Sequence, residues 1–156
     1  MKSFPTVAAN ILLVDENRDG LLVRRALLEE HGFQVEMAQS GEEGLNLYRK
    51  LHFDVVVTGY RMPRMSGTEL IERLRRLDPQ VRVVLLSGIA QPLGLTEENT
   101  GADTVLAKDS REQVLLVRSV KRLLSRVPSR KPPRAQGRAA DGRLTRPKAG
   151  ARTATS

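Results

Sequence analysis

The sequence predicts an α/β fold: a doubly wound, five-stranded parallel sheet covered by helices on both faces, in three α/β/α layers. Three observations carry this expectation. Five short apolar segments recur between residues 11 and 106, the stretches between them are polar-amphipathic, and three of the five are Val/Ile/Leu runs. Near-continuous apolar runs are what strands buried on both faces require, and strands alternating with helices close into parallel sheets.

The predicted strands are Ile11–Val14, Phe33–Met37, Asp54–Thr58, Val81–Leu86 and Asp103–Leu106. Asn17 or Asp19 caps the first helix, which sets Gly20, Val23, Ala26 and Leu27 on one face and ends at His31-Gly32. Ser40 with Glu43 has capping-box spacing and opens the second helix, which closes near Lys50. Ser66 with Glu69 repeats the signature for the third, which stops at Asp78-Pro79. Pro92 and Gly94 interrupt the fourth. Only Thr96–Asn99 remains plausible helix there, so a shortened or disordered element is expected. Ser110 is the expected cap of the last helix, with Val114, Leu116, Val117, Val120 and Leu124 as its apolar positions. Right-handed crossovers then make the flavodoxin-like strand order 2-1-3-4-5 the natural one.

Composition divides the chain. The net charge is +8, but residues 127–156 hold 8 of the 26 Lys/Arg and 1 of the 18 Asp/Glu. They also hold four of the eight prolines, and neither isoleucine nor an aromatic residue. Such a segment buries too little apolar surface to offset its ordering entropy. The expected organisation is therefore one globular domain over residues 1–126 and a basic, Pro/Arg-rich disordered tail over residues 127–156. Cysteine is absent, which excludes disulfides and thiolate metal sites. No apolar run approaches the ~20 residues that cross a bilayer, and the start does not read as a signal peptide, so a cytoplasmic protein without membrane contact is expected.

In an open parallel sheet, ligands bind beyond the carboxyl ends of the strands. Those ends carry Asp15-Glu16, Gly59, Ser87-Gly88 and Lys108. An acidic pair, a hydroxyl and a lysine on one rim suit phosphoryl transfer to a carboxylate: carboxylates hold Mg²⁺, the hydroxyl donates to a phosphate oxygen, and the lysine supplies a positive charge. Each element also has an ordinary reading. Asp15-Glu16 could help cap a helix, Ser87-Gly88 could form a turn, and Lys108 could be a solvated lysine. His31 and His52 have no spaced partner and take no metal role.

The run Asp54-Val-Val-Val-Thr-Gly-Tyr-Arg-Met-Pro-Arg-Met-Ser-Gly67 brings these elements together in order and spacing. Over residues 10–125 the chain resembles bacterial response-regulator receiver domains of the chemotaxis-regulator type. In that family the residue four places before the proline of Met-Pro-x-x-x-Gly is the aspartate that accepts a phosphoryl group. The resemblance puts Gly59 at this position, so the chain should lack the acceptor. It makes Ser87 and Lys108 former phosphate-contact positions. It leaves Mg²⁺ a weak or absent site on Glu16, the Arg61 backbone carbonyl and waters, with Asp15 acting through water at best. Asp109 stands where the family usually has proline, so the cis peptide common there should be trans. Val105 stands where many receivers carry a switching aromatic. Thr58 should face away from the rim, and Asp54 lies at the far end of its strand, so neither is expected to replace the acceptor.

The expected function follows from these departures. The chain should be a two-component receiver that works as a phosphorylation-independent protein-interaction module through its last two crossover surfaces, and not as an enzyme. Its partners would be a histidine kinase or another two-component protein. Two alternatives stand beside it. One is an ordinary phosphorelay receiver whose aspartate was lost by engineering or error. The other is non-specific nucleic-acid binding through the basic tail, which has no stacking aromatic and no DNA-binding fold beside it.

Overall fold

The computed structural model describes residues 8–88 and 94–125. Five strands, β1 (Asn10–Val14), β2 (Gln34–Ala38), β3 (Val55–Gly59), β4 (Val83–Ser87) and β5 (Thr104–Ala107), alternate with helices α1 (Arg18–Glu30), α2 (Gly41–Lys50), α3 (Gly67–Leu77), α4 (Glu97–Thr100) and α5 (Glu112–Leu124). The sheet order is β2-β1-β3-β4-β5, with every pair parallel, as the alternation predicts. β3 and β4 are buried at every position because both faces are covered, whereas edge strand β2 is buried only at Ala38. The 127–156 tail expectation lies outside the described residues.

Alternation along each strand sends neighbouring side chains to opposite layers. Ile11, Leu13, Val55, Val57, Val84 and Leu86 pack with Leu21 and Leu28 of α1 and with Leu116, Val120 and Leu123 of α5. Leu12, Val14, Val56, Val83 and Leu85 pack with Leu45 of α2 and with Leu70, Ile71 and Leu74 of α3. The registers Leu13↔Val57 and Val57↔Val84 bring the carboxyl ends of β1, β3 and β4 to one edge.

Local chemistry sets the helix starts. Asn17 accepts from the Gly20 amide, Ser40 from Glu43 and Ser66 from Glu69, each satisfying an amide that the helix leaves without a partner. Neither box closes reciprocally. The Glu43 carboxylate takes the Gln39 amide, and the Glu69 carboxylate pairs with Arg73. In the shortened fourth helix Thr96 and Asn99 do form a reciprocal box, and Gly101 closes the turn at φ 82°.

Three expectations are corrected. The inward face of α1 is Leu21, Arg24 and Leu28, while Val23 is 52% exposed and Ala26 is also exposed. The error is one of phase: an arginine occupies an inward position, so apolar patterning favours the wrong side. The last helix has Arg111 at its cap, and Ser110 makes no capping bond. Its buried face runs through Leu116, Ser119, Val120 and Leu123, leaving Val114 62% exposed and Leu124 only partly covered.

Candidate functional site

Beyond the carboxyl edge of the sheet lies a cleft of about 290 Å³ lined by Asp15, Glu16, Asn17, Tyr60, Arg61, Leu86, Ser87, Gly88 and Lys108. Each wall follows from a strand ending. Parallel pairing stops at Val14, Gly59, Ser87 and Ala107, and the next residues turn outward above the edge. All the rim positions singled out in the sequence meet here. Asp15, Glu16, Arg61, Ser87 and Lys108 line the cleft, and Gly59 lies against the Asp15 carboxylate. Thr58 does not line it. Its side chain is buried, with the hydroxyl directed to the Gly59 carbonyl and the Met62 sulfur. Asp54 is held at the opposite end of β3 by the Asn10 amide and His52.

Asp15 is the centre of the arrangement. It is 3% exposed, so its charge requires partners. Lys108 Nζ donates to Oδ2 at 2.9 Å, Arg24 Nη1 donates to the same oxygen at 3.3 Å, and the Asn17 amide donates to Oδ1 at 3.1 Å. Arg24 in turn donates from Nε and Nη2 to the two carboxylate oxygens of Glu112, at 2.5 and 3.3 Å. The result is a chain Lys108–Asp15–Arg24–Glu112, with two charges of each sign, joining β5, β1, α1 and α5. The Arg24 and Asp15 side chains are 9% and 4% exposed, so this pairing is screened far less than a surface ion pair.

Two glycines lie against it. A Cβ on Gly59 would stand 3.0 Å from Asp15 Oδ2 and 3.1 Å from its Cγ, so the Asp15 carboxylate would have to give by a few tenths of an ångström. A Cβ on Gly20 would stand 2.9 Å from Arg24 Nη1, the flexible end of that side chain. A third glycine brings the α3 start to the rim: a Cβ on Gly67 would collide with the Gly59 carbonyl, and the Gly67 amide donates to the Tyr60 carbonyl at 2.7 Å. The intervening loop holds Arg64 at φ 67°, an uncommon conformation for a residue with a side chain. The peptide leading into Asp109 is trans, and Val105 is half-buried, with its amide donating to the Glu97 carboxylate.

Sequence reasoning missed Arg24 and Glu112. The available signal for Arg24 was its spacing, three residues after Leu21 and four before Leu28, which is that of an inward-facing row. Glu112 had no comparable signal, because its partner lies 88 residues away.

Comparison with known proteins agrees with this geometry. The family model described as the response regulator receiver domain matches residues 11–119. A response regulator receiver protein of Anaeromyxobacter sp. is 41% identical over 76 residues, which cover 49% of this chain and 32% of that protein. The CheY-like receiver domain of Methanospirillum hungatei superposes with a TM-score of 0.67 at 29% identity, covering 75% of this chain and 94% of the other. The Thermotoga maritima response regulator TrrA, solved in complex with Mg²⁺–BeF, superposes with a TM-score of 0.67 at 26% identity, covering 74% and 99%.

Magnesium needs an octahedral shell of oxygens at about 2.1 Å. In this chain Asp15 Oδ2 already receives two cationic groups and Oδ1 a backbone amide. That leaves the Glu16 side chain and the Arg61 carbonyl, and no group of three His, Cys, Asp or Glu suited to a metal occurs among the described residues. As arranged, the rim does not fit a divalent ion.

Proposed function

The chain belongs to the response-regulator receiver domain family, the receivers of two-component signalling, and from that premise we propose that it is a degenerate receiver acting as a phosphorylation-independent protein-interaction module. One observation carries the reading. At the carboxyl end of β3, against the Asp15 carboxylate that Lys108 holds, the residue is Gly59, which has no side chain to accept a phosphoryl group. An acyl phosphate on a carboxylate cannot form where there is no carboxylate. Asp15 is not a substitute: its oxygens accept from Lys108, Arg24 and a backbone amide, and an attacking oxygen would have to give up those bonds.

In this reading Ser87 and Lys108 keep phosphate-contact positions without a phosphoryl group to hold, and Lys108 serves Asp15 instead. Any binding of Mg²⁺ through Glu16 and the Arg61 carbonyl is weak, because Lys108, Arg24 and a backbone amide hold Asp15. The partner is another two-component protein, such as a histidine kinase, and its affinity is the same with and without a phosphoryl donor. The coincident departures at Val105 and Asp109 favour this reading over an aspartate lost in one accidental step.

The test is intact-mass measurement after incubation with a small acyl phosphate and Mg²⁺. The expected result is no phosphate addition. A hydroxylamine-labile phosphate adduct would refute the reading, and peptide mapping would identify the acceptor.

A further inference from the structure

We propose that Arg24 is the built-in cation of this rim: its guanidinium neutralises and bridges the Asp15 and Glu112 carboxylates and keeps a divalent ion from Asp15. This goes beyond phosphorylation-independence, which depends on Gly59 alone.

The geometry supports it from three sides. Arg24 projects from α1 into the space between Asp15 and Glu112 with only 9% of its side chain exposed. It is engaged at Nε, Nη1 and Nη2, so its position is fixed by three donors and not by charge alone. Next, Asp15 Oδ2 already carries Lys108 and Arg24, and a third positive centre approaching that oxygen would meet both. Finally, the network packs closely against two glycines: a Cβ on Gly59 would press on the Asp15 carboxylate, while one on Gly20 would meet only the flexible end of Arg24.

Charge gives the same answer. Asp15 and Glu112 are balanced by Arg24 and Lys108, so the network is neutral before any ion arrives. Removing Arg24 leaves buried Asp15 and part-buried Glu112 with one cation, and Glu16 lies on the cleft wall with Asp15. The emptied space would then attract a divalent ion, with one of the two cations gone from Asp15 Oδ2. Arg24 and a metal compete for one carboxylate, so removal of one must raise the affinity for the other.

The test compares the full chain with its Arg24→Gln variant, titrated with MgCl₂ at ionic strength held constant with KCl. Amide chemical shifts of residues 15–17 and 59–61 report occupancy, and melting temperature reports stabilisation. The native chain should show no saturable shift at these amides and no magnesium-dependent rise in melting temperature. Arg24→Gln should melt lower without the ion, regain stability with it, and bind it about tenfold or more tightly than the native chain. If the variant folds only with magnesium, that also supports the proposal. If it does not fold at all, the native titration decides: saturable shifts at these amides overturn the proposal, and their absence supports it. A folded variant with no gain in magnesium affinity also overturns it. Phosphate uptake is measured separately by mass, so the Gly59 reading and the Arg24 proposal fail independently.

Discussion

At Gly59 and Gly20 a Cβ would lie 3.0 Å from Asp15 Oδ2 and 2.9 Å from Arg24 Nη1. At Gly20 a small shift of the flexible Arg24 end relieves the contact, whereas at Gly59 the Cβ presses on a carboxylate already held by Lys108 and Arg24. Gly59→Asp should therefore do more than add a carboxylate. It presses on Asp15, which is already bonded to Lys108 and Arg24, and adds a third acidic group beside Asp15 and Glu16. We expect a loss of about 1–3 kcal/mol in metal-free buffer, recovered in part by Mg²⁺, as read by urea melts with and without the ion. A variant as stable as the parent would show that the rim has slack at this point. A different residue sets the alkaline behaviour. Burial raises the Tyr48 phenol pKa strongly from its ordinary 10, and its hydrogen bond to Asp78 adds to the rise. The folded state therefore keeps a proton that the unfolded chain releases. The stability this contributes is complete below pH 10 and declines above it, as the unfolded phenol ionises. Tyr48→Phe should cost about 1 kcal/mol at neutral pH and flatten that decline in pH-dependent denaturation.

Helix ends give a sharper contrast, because two serines cap and a third at a similar position does not. Ser40 and Ser66 each accept a backbone amide at the start of α2 and α3. Replacing either with alanine should cost about 1 kcal/mol in denaturant melts. Ser110→Ala should change stability by less than about 0.5 kcal/mol, since Ser110 is exposed and makes no capping bond. A loss at Ser110 equal to that at Ser66 would mean that α5 starts one residue earlier. The element most sensitive to a single methyl is α3. Gly67→Ala would drive a Cβ into the Gly59 carbonyl, and α3 has to move off β3 or lose the bond from the Gly67 amide to the Tyr60 carbonyl. The melting temperature should fall by more than for either cap variant.

Among the described residues, the two apolar layers run from Ile11 to Leu123. A chain ending at Arg126 should accordingly melt at the same temperature as the full chain. A drop on truncation would mean that residues beyond 126 contribute to the core. The ion-pair chain adds a link between the two ends of the fold, since Arg24 in α1 holds Glu112 in α5. Glu112→Gln weakens that link while leaving Arg24 on Asp15. Its loss of stability should be smaller than that of Arg24→Gln, which deprives two carboxylates of a partner.

Much of this was legible in the sequence. Val/Ile/Leu runs between turn residues identify doubly buried strands, and strand–helix alternation with right-handed crossovers leaves the order 2-1-3-4-5. Ser40 and Ser66, and Asn17 as one of two candidates with Asp19, revealed helix starts because capping is a contact within four residues. The rim positions were legible too, since every parallel strand delivers its carboxyl end to the same edge. The phase of α1 was not. Periodicity ranks residues by hydrophobicity, and Arg24 faces inward because two carboxylates on β1 and α5 compensate its burial. Nothing local to Arg24 encodes those partners. Folding alone determines that Asp15 occupies the space beside Gly59 and that Lys108 and Arg24 converge on one oxygen, because these contacts join residues brought together only when the sheet closes between its helices.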